Sequence, residues 1–173
     1  MPYAFDWFWL IIGQTQWRDQ HSSRWRVPGK NNGVFDTEFG TLGVLGCSEI
    51  ISPFISRRTV KDGAEVLLYT ASIAILRNSE RLHQQNLAVA KIRAAETRRY
   101  LAYAANGGHS FFVGPDGTIL WESPAIENGV KIVEAKLNSH LTPAVKYGNW
   151  FSFFAIGWLV VDHLIAGRLK QRS

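Results

Sequence analysis

From Trp150 to Gly167 the sequence reads WFSFFAIGWLVVDHLIAG, a nearly unbroken apolar stretch that must find an apolar environment. A helix of about 20 such residues spans the hydrocarbon layer of a bilayer, so the stretch predicts one transmembrane helix. The competing reading is a buried amphipathic C-terminal helix of a soluble protein. The aromatic entry at Trp150, Phe151, Phe153 and Phe154 and the basic ending RLKQRS favour the membrane. Asp162 and His163 fall in the last third, where polar side chains snorkel toward headgroups or face another helix. By the positive-inside rule Arg168, Lys170 and Arg172 stay in the cytoplasm and the globular part lies on the far side. The N-terminal MPYAFDWFWLII is apolar but has no basic n-region and no small-residue cleavage site, so it does not read as a signal peptide.

With 173 residues, 46% of them hydrophobic, the chain has material for one globular domain plus this appendage. The net charge of +5 does not indicate a nucleic-acid partner. Arg18, Arg24, Arg26, Arg57, Arg58, Arg98 and Arg99 are scattered and form no basic stripe interleaved with aromatics. Cys47 is the only cysteine, which rules out an intrachain disulfide. Without a second thiol or a nearby histidine pair it also argues against a structural zinc site. No cofactor or metal is indicated.

Upstream of the apolar stretch, GVFDTEFGTLGVLGC predicts a hairpin through Glu38-Phe39-Gly40 whose second strand, Thr41–Gly46, is buried. Ile51–Asp62 reads as a short helix, with Ser52 as N-cap, Pro53 at the first helical position and Gly63 closing it. Glu65–Thr70 is a short buried strand. A long helix follows over Ser79–Tyr103, with Leu87, Ala90, Ala94, Thr97 and Leu101 on one face. His109–Val113 and Thr118–Trp121 form strands joined by Gly-Pro-Asp-Gly, and Val130–Ala135 supplies another. This alternation predicts an α/β domain with a mixed sheet, and Thr142-Pro143 opens a linker to the apolar helix.

Cys47 therefore follows a strand directly. A lone cysteine in that position is more often a small core hydrophobe than a nucleophile. Three neighbours point to chemistry. Gly46 permits a sharp turn, Ser52-Pro53 starts a helix whose N-terminus favours the reactive thiolate, and Glu49 is close enough to share a pocket. Glu49 reads as a base or as an ion-pair partner of Arg57 or Arg93. No histidine is singled out as a partner, since His83 falls on the exposed face near a helix start and His109 begins a strand.

The succession GTLGVLGCSEI, GAEVLLYT and KIRAAETRRYLAYAANGGHSFFVGPDGTIL resembles the C-terminal half of the nitrilase, or carbon-nitrogen hydrolase, superfamily. Within it, LTPAVKYGNW before a final hydrophobic helix resembles the apolipoprotein N-acyltransferase branch. The resemblance implies an α-β-β-α sandwich on the periplasmic side of the bacterial inner membrane. It divides the chain into an N-terminal arm (1–32), the C-terminal half of a carbon-nitrogen hydrolase domain (33–141), and a linker, transmembrane helix and basic cytoplasmic tail (142–173). It further implies that a cysteine takes a fatty acyl group from a phospholipid as a thioester and passes it to the N-terminal amine of a lipoprotein. Cys47 matches the family nucleophile and Glu49 the glutamate of a Cys-Tyr-Glu motif. Arg93 and Glu96 match a structural Arg-Ala-x-Glu helix, and Asn106-Gly107 a loop near the pocket.

Departures from the family pattern are specific. The family triad is Glu-Lys-Cys, and its glutamate and lysine motifs lie upstream of the segment with which this chain begins. Lys30 aligns with a variable stretch and is not that lysine. Ser48 replaces the tyrosine after the nucleophile, and Thr70-Ala71-Ser72-Ile73 stands where the family has an Asn-Asp loop followed by Trp-Phe. An upstream fragment carrying the rest of the enzyme is thus an expected partner. The alternatives are an amidase- or nitrilase-type hydrolase acting on a small substrate, and an inactive remnant.

Overall fold

The computed structural model describes residues 33–74, 79–124 and 129–170, with the side chains of the last helix described through His163. The arm expected over 1–32 lies outside the described residues. Strands β1 (Val34–Thr37) and β2 (Gly40–Gly46) form the expected hairpin. Its turn is closed by the Thr37 hydroxyl, which donates to the Gly40 carbonyl at 2.7 Å. A 3-10 turn over Cys47–Ile51 leads into α1 (Pro53–Lys61), and β3 follows at Val66–Ser72. Ser52 holds the extended backbone of an N-cap and Pro53 opens the helix, although the Ser52 side chain makes no capping bond. Helix α2 (Glu80–Thr97) is capped by the Ser79 hydroxyl, which accepts from the Leu82 amide, and is followed by β4 (Tyr100–Asn106). Strands β5 (Phe111–Val113) and β6 (Ile119–Glu122) form the Gly-Pro-Asp-Gly hairpin. Short α3 (Pro143–Tyr147) and α4 (Trp150–Lys170) complete the order.

The six strands make one sheet in sequential order. β2, β3 and β4 are parallel neighbours, and β1, β5 and β6 add antiparallel edges. Parallel neighbours require crossovers, and α1 and α2 supply them. The register aligns Gly43, Leu67, Leu101 and Val113 in one row across the sheet, and Leu45, Tyr69, Tyr103 and Phe111 in the next. Every one of these residues is buried, and with Val60, Leu87, Ala90 and Ala94 they build the core beneath α1 and α2. A Cβ on Gly43 would lie 2.5 Å from the Thr59 methyl, so only glycine lets α1 approach this closely. The opposite face is more open: Val44 is 37% exposed, and Gly46, Thr70 and Ala104, in the row two residues further on, are exposed.

Four sequence expectations change. The helix expected over Ser79–Tyr103 ends at Thr97, where Arg98 adopts a left-handed cap (φ 55°), and Tyr100–Asn106 is a central strand. Pairing with β3 on one side and β5 on the other overrides the modest helix preference of its alanines. The strand expected at Val130–Ala135 does not form; this segment has no regular secondary structure, and Val130 is 96% exposed. Strand β2 is buried on one face only, because helices cover one side of the sheet in the described residues. His83 is buried, at 5% exposure, instead of lying on an open helix face.

Three arginines, Arg93 and Arg99 buried and Arg57 half-buried, tie the elements together. Arg99, 1% exposed, donates from Nε to the Ala64 carbonyl at 2.9 Å and from Nη1 to the carbonyls of Thr97 (3.1 Å) and His140 (2.9 Å). Arg57 of α1 grips Glu96 Oε1 of α2 through Nε and Nη2, while Arg93 Nη1 lies 2.8 Å from Glu96 Oε2. Arg57 Nη1 also donates to Asn149 Oδ1 at 2.7 Å, and the Thr142 hydroxyl donates to the Glu96 carbonyl at 2.6 Å. The expected pairing of Glu49 with Arg57 or Arg93 is thus replaced by pairing of both arginines with Glu96.

On α4, Phe151, Phe153, Trp158 and Leu159 are each more than 60% exposed. Among the described residues no helix is long and apolar enough to cross a membrane.

Replacing Arg99 with methionine keeps much of the volume but strands three carbonyls in the core. The expected loss is about 3 kcal/mol, read as a lower urea midpoint with an unchanged slope.

Candidate active site

Cys47 occupies the bend where β2 passes into the 3-10 turn, and its φ of 45° lies in the left-handed region. A side chain there costs on the order of 1–2 kcal/mol, so something must hold the bend. Glu49 does so: its Oε2 accepts the Gly46 amide at 2.7 Å, reaching back over the turn as a capping-box glutamate does. The Ser52 amide closes the turn on the Glu49 carbonyl at 3.1 Å. The thiol is thereby presented outward, and Cys47 is exposed. Left-handed non-glycine residues held by their surroundings cluster at functional sites.

The bend opens onto a cleft of about 440 Å³ lined by Gly46, Cys47, Thr70–Ser72 and Ala104–Asn106. These residues are the C-terminal ends of the parallel strands β2, β3 and β4, where open α/β sheets bind ligands. Beyond β4, Gly107 (φ 71°) crosses the chain after β3 so closely that a Cβ would stand 2.8 Å from the Ala74 Cβ. The Ile73 amide donates to the Asn106 carbonyl at 2.9 Å, pinning the two strand ends together. Small neutral side chains dominate the lining, and among the described residues Cys47 is its only ionisable group.

Aromatic residues form the layer behind it. Tyr103 stacks on Phe111 with ring centroids 4.4 Å apart, and its hydroxyl accepts from Asn86 Nδ2 at 3.2 Å. Burial pushes the Tyr103 phenol up to about 12, and the negative charge of a Cys47 thiolate adds to the rise. Tyr69, hydrogen-bonded to Ser56 at 2.7 Å, is also pushed up to about 12, mainly by burial. Neutral phenols therefore back the thiol at physiological pH.

The structure brings Cys47 and Glu49 into one turn and places Asn106 and the Thr70–Ile73 segment at the same cleft, with Gly107 in the loop just beyond. Arg93 and Glu96 belong to the ion cluster between helices. His83 and His109 stack on each other with ring centroids 4.0 Å apart, outside the cleft lining. Tyr69, Tyr103 and Asn86 escaped sequence reasoning, because only the parallel register puts them behind Cys47. The left-handed bend had one trace, the glycine preceding the cysteine.

The carbon-nitrogen hydrolase family profile matches residues 9–144. The chain belongs to the carbon-nitrogen hydrolase family. Among curated relatives it is 34% identical to the apolipoprotein N-acyltransferase of Mycolicibacterium smegmatis, covering 70% of this chain and 20% of that protein. It is 32% identical to that of a Nostoc species, with coverages of 85% and 29%, and 29% identical to that of a Synechocystis species, with coverages of 94% and 31%. The chain thus spans less than a third of these relatives. Two crystal structures share the fold: Saccharomyces cerevisiae Nit3 of the nitrilase superfamily (TM-score 0.53, 24% identity, 63% of this chain and 42% of that one) and a Helicobacter pylori carbon-nitrogen hydrolase (TM-score 0.54, 22% identity, 59% and 43%).

Two predictions follow from the bend and the layer behind it. Cys47→Gly removes the left-handed penalty and raises stability by up to about 1 kcal/mol, whereas Cys47→Ala keeps the penalty and gains nothing; urea denaturation separates the two. In an alkaline absorbance titration, Tyr69 and Tyr103 ionise near 12 in the folded chain and near 10 once unfolded. Because the folded values are raised, their contribution to stability is complete below pH about 10 and is lost as pH rises toward 12.

Proposed function

We propose that this chain carries the nucleophile-bearing part of an apolipoprotein N-acyltransferase. The observation that carries the reading is Cys47 itself, held left-handed and exposed at the C-terminal edge of a parallel sheet. In the proposed reaction the Cys47 thiolate attacks the ester carbonyl of a phospholipid, forming a thioester while the lysophospholipid alkoxide leaves and takes up a proton. The N-terminal amine of a lipoprotein then attacks the thioester. An amide forms, the amine loses a proton, and the thiolate of Cys47 is released.

Loss of the thiol proton requires a base, and among the described residues the cleft lining supplies none. The resemblance assigns that role to the glutamate of the Glu-Lys-Cys triad, which with the lysine belongs to motifs upstream of the pre-nucleophile segment. In the full domain the sheet's open face would pack on a second sheet to make the α-β-β-α sandwich. Glu49 serves the reaction by holding the Cys47 bend through the Gly46 amide, which is a positioning role. We infer that α4 anchors the protein in the bacterial inner membrane. The outward apolar side chains from Trp150 to Val161 support this, as does the sequence LIAG that continues the helix before Arg168 and Lys170. The globular part is then periplasmic and the tail cytoplasmic.

The test is intact-mass analysis of the chain in phosphatidylethanolamine liposomes, alone and together with the N-terminal portion of the Nostoc relative that this chain does not match. A fatty-acyl mass on Cys47 is expected in the combined sample and is lost in Cys47→Ala. Its absence there would overturn the acyltransferase reading. Glu49→Gln, whose amide oxygen still accepts from Gly46, retains most of the acylation, whereas loss to below about a hundredth would make Glu49 a base instead.

A further inference from the structure

Outside the cleft, the first turn of α2 and the β5–β6 hairpin with the loop before it bring together Glu80, His83, His109 and Glu122, from three separate stretches of sequence. His83 Nε2 lies 2.6 Å from Glu122 Oε1, and His109 Nδ1 lies 3.7 Å from the same oxygen. His109 Nε2 stands 3.8 Å from Glu80 Oε2. One ligating atom from each of His83, His109 and Glu122 falls within 4.8 Å of the others. We propose that His83, His109 and Glu122, with Glu80 at the rim, bind one divalent transition-metal ion of the zinc type.

The donor chemistry fits such an ion. Two imidazoles and a carboxylate are a common zinc set, and imidazole discriminates against magnesium and calcium, which prefer all-oxygen shells. The spacing is close to what is needed. With bonds of about 2.0–2.2 Å, neighbouring tetrahedral ligands stand about 3.3 Å apart. The 2.6 Å pair opens when the ion replaces the proton shared by His83 and Glu122, and His109 brings Nε2, the nitrogen not bonded to Ser123, to the same ion.

Outer contacts orient the ligands as in known metal sites. The Ser123 carbonyl accepts from His109 Nδ1 at 2.7 Å, which fixes the tautomer and leaves the Nε2 lone pair free. His83 is held by burial and by Phe111, 6.2 Å away between ring centroids. The stacked imidazoles are inclined by 25°, so the half-exposed His109 ring turns to bring its lone pair to an ion anchored on buried His83. A bound ion would pin the start of α2 to the end of β6.

Full-length protein in detergent, stripped with chelator and desalted, is titrated with zinc chloride by calorimetry, with magnesium chloride as the control. Zinc is expected to bind at one ion per chain and to raise Tm, while magnesium does neither. Cobalt(II) should give the visible absorption of a tetrahedral site. His109→Ala and Glu122→Gln each weaken binding at least about tenfold, with folding verified by circular dichroism. Cys47→Ser and His140→Ala leave binding unchanged. Absence of saturable zinc binding, equal affinity in the Glu122→Gln protein, or loss of binding in Cys47→Ser alone would overturn the site.

Discussion

The fold depends on a charge with no carboxylate bonded to it. Arg99 sits one residue before β4 and reaches the carbonyl of Ala64, two residues before β3, while its other contacts hold the end of α2 and the chain at His140. Burying a guanidinium is costly unless its donors find partners, and carbonyls of Ala64, Thr97 and His140 accept from its Nε and Nη1. The position fixes the N-terminal ends of β3 and β4 against each other. Val66 then pairs with Tyr100, and a strictly parallel ladder carries that register to Ser72 beside Asn106. Through β2 the same ladder sets Gly46 beside Thr70, so the edge at which Cys47 emerges is determined at the other end of the sheet.

Helices impose the second constraint. Arg57, Arg93 and Glu96 form a cluster shared by α1 and α2, and Arg57 extends it to Asn149, next to the start of α4. Removing the carboxylate would leave two partly or fully buried cations together, which costs far more than the intact cluster contributes. The Glu96 backbone holds Thr142 as well, so the crossover helices and the chain leading to the apolar helix are locked to one residue. With α1 clamped, the turn that precedes it cannot relax, and the left-handed Cys47 persists.

Local chemistry explains which features were legible in the sequence. The hairpin turns, the Pro53 helix start and the strand before Cys47 are written in neighbouring residues, and each formed within a few positions of expectation. Tyr100–Asn106 was not legible because YLAYAAN carries helix and strand signals together, and its two strand neighbours decide. The burial of Arg99 left no trace in the sequence, because two of its carbonyl partners, Ala64 and His140, lie 35 and 41 residues away. His83 and His109 were separated by a whole helix and strand, which hid both the burial of one and their stacking. At the site, Cys47 was legible from its place in the motif order. Its backbone strain, and the use of Glu49 as a backbone acceptor, emerge only in three dimensions.

The arrangement also limits the direction from which the missing chemistry arrives. On the helix side, Leu45, Tyr69, Tyr103 and Phe111 fill the row beside Cys47 and leave no room for a charged group. Tyr69 and Tyr103, neutral until pH about 12, cannot serve as bases there. On the other side the edge is Gly46, Thr70 and Ala104, all small and all exposed. On the proposed reading, a base able to take the thiol proton lies within about 3 Å of it and comes over this open face. Small residues at that edge are what such an approach requires, since a larger side chain at Gly46 or Ala104 would occupy the space beside the sulfur.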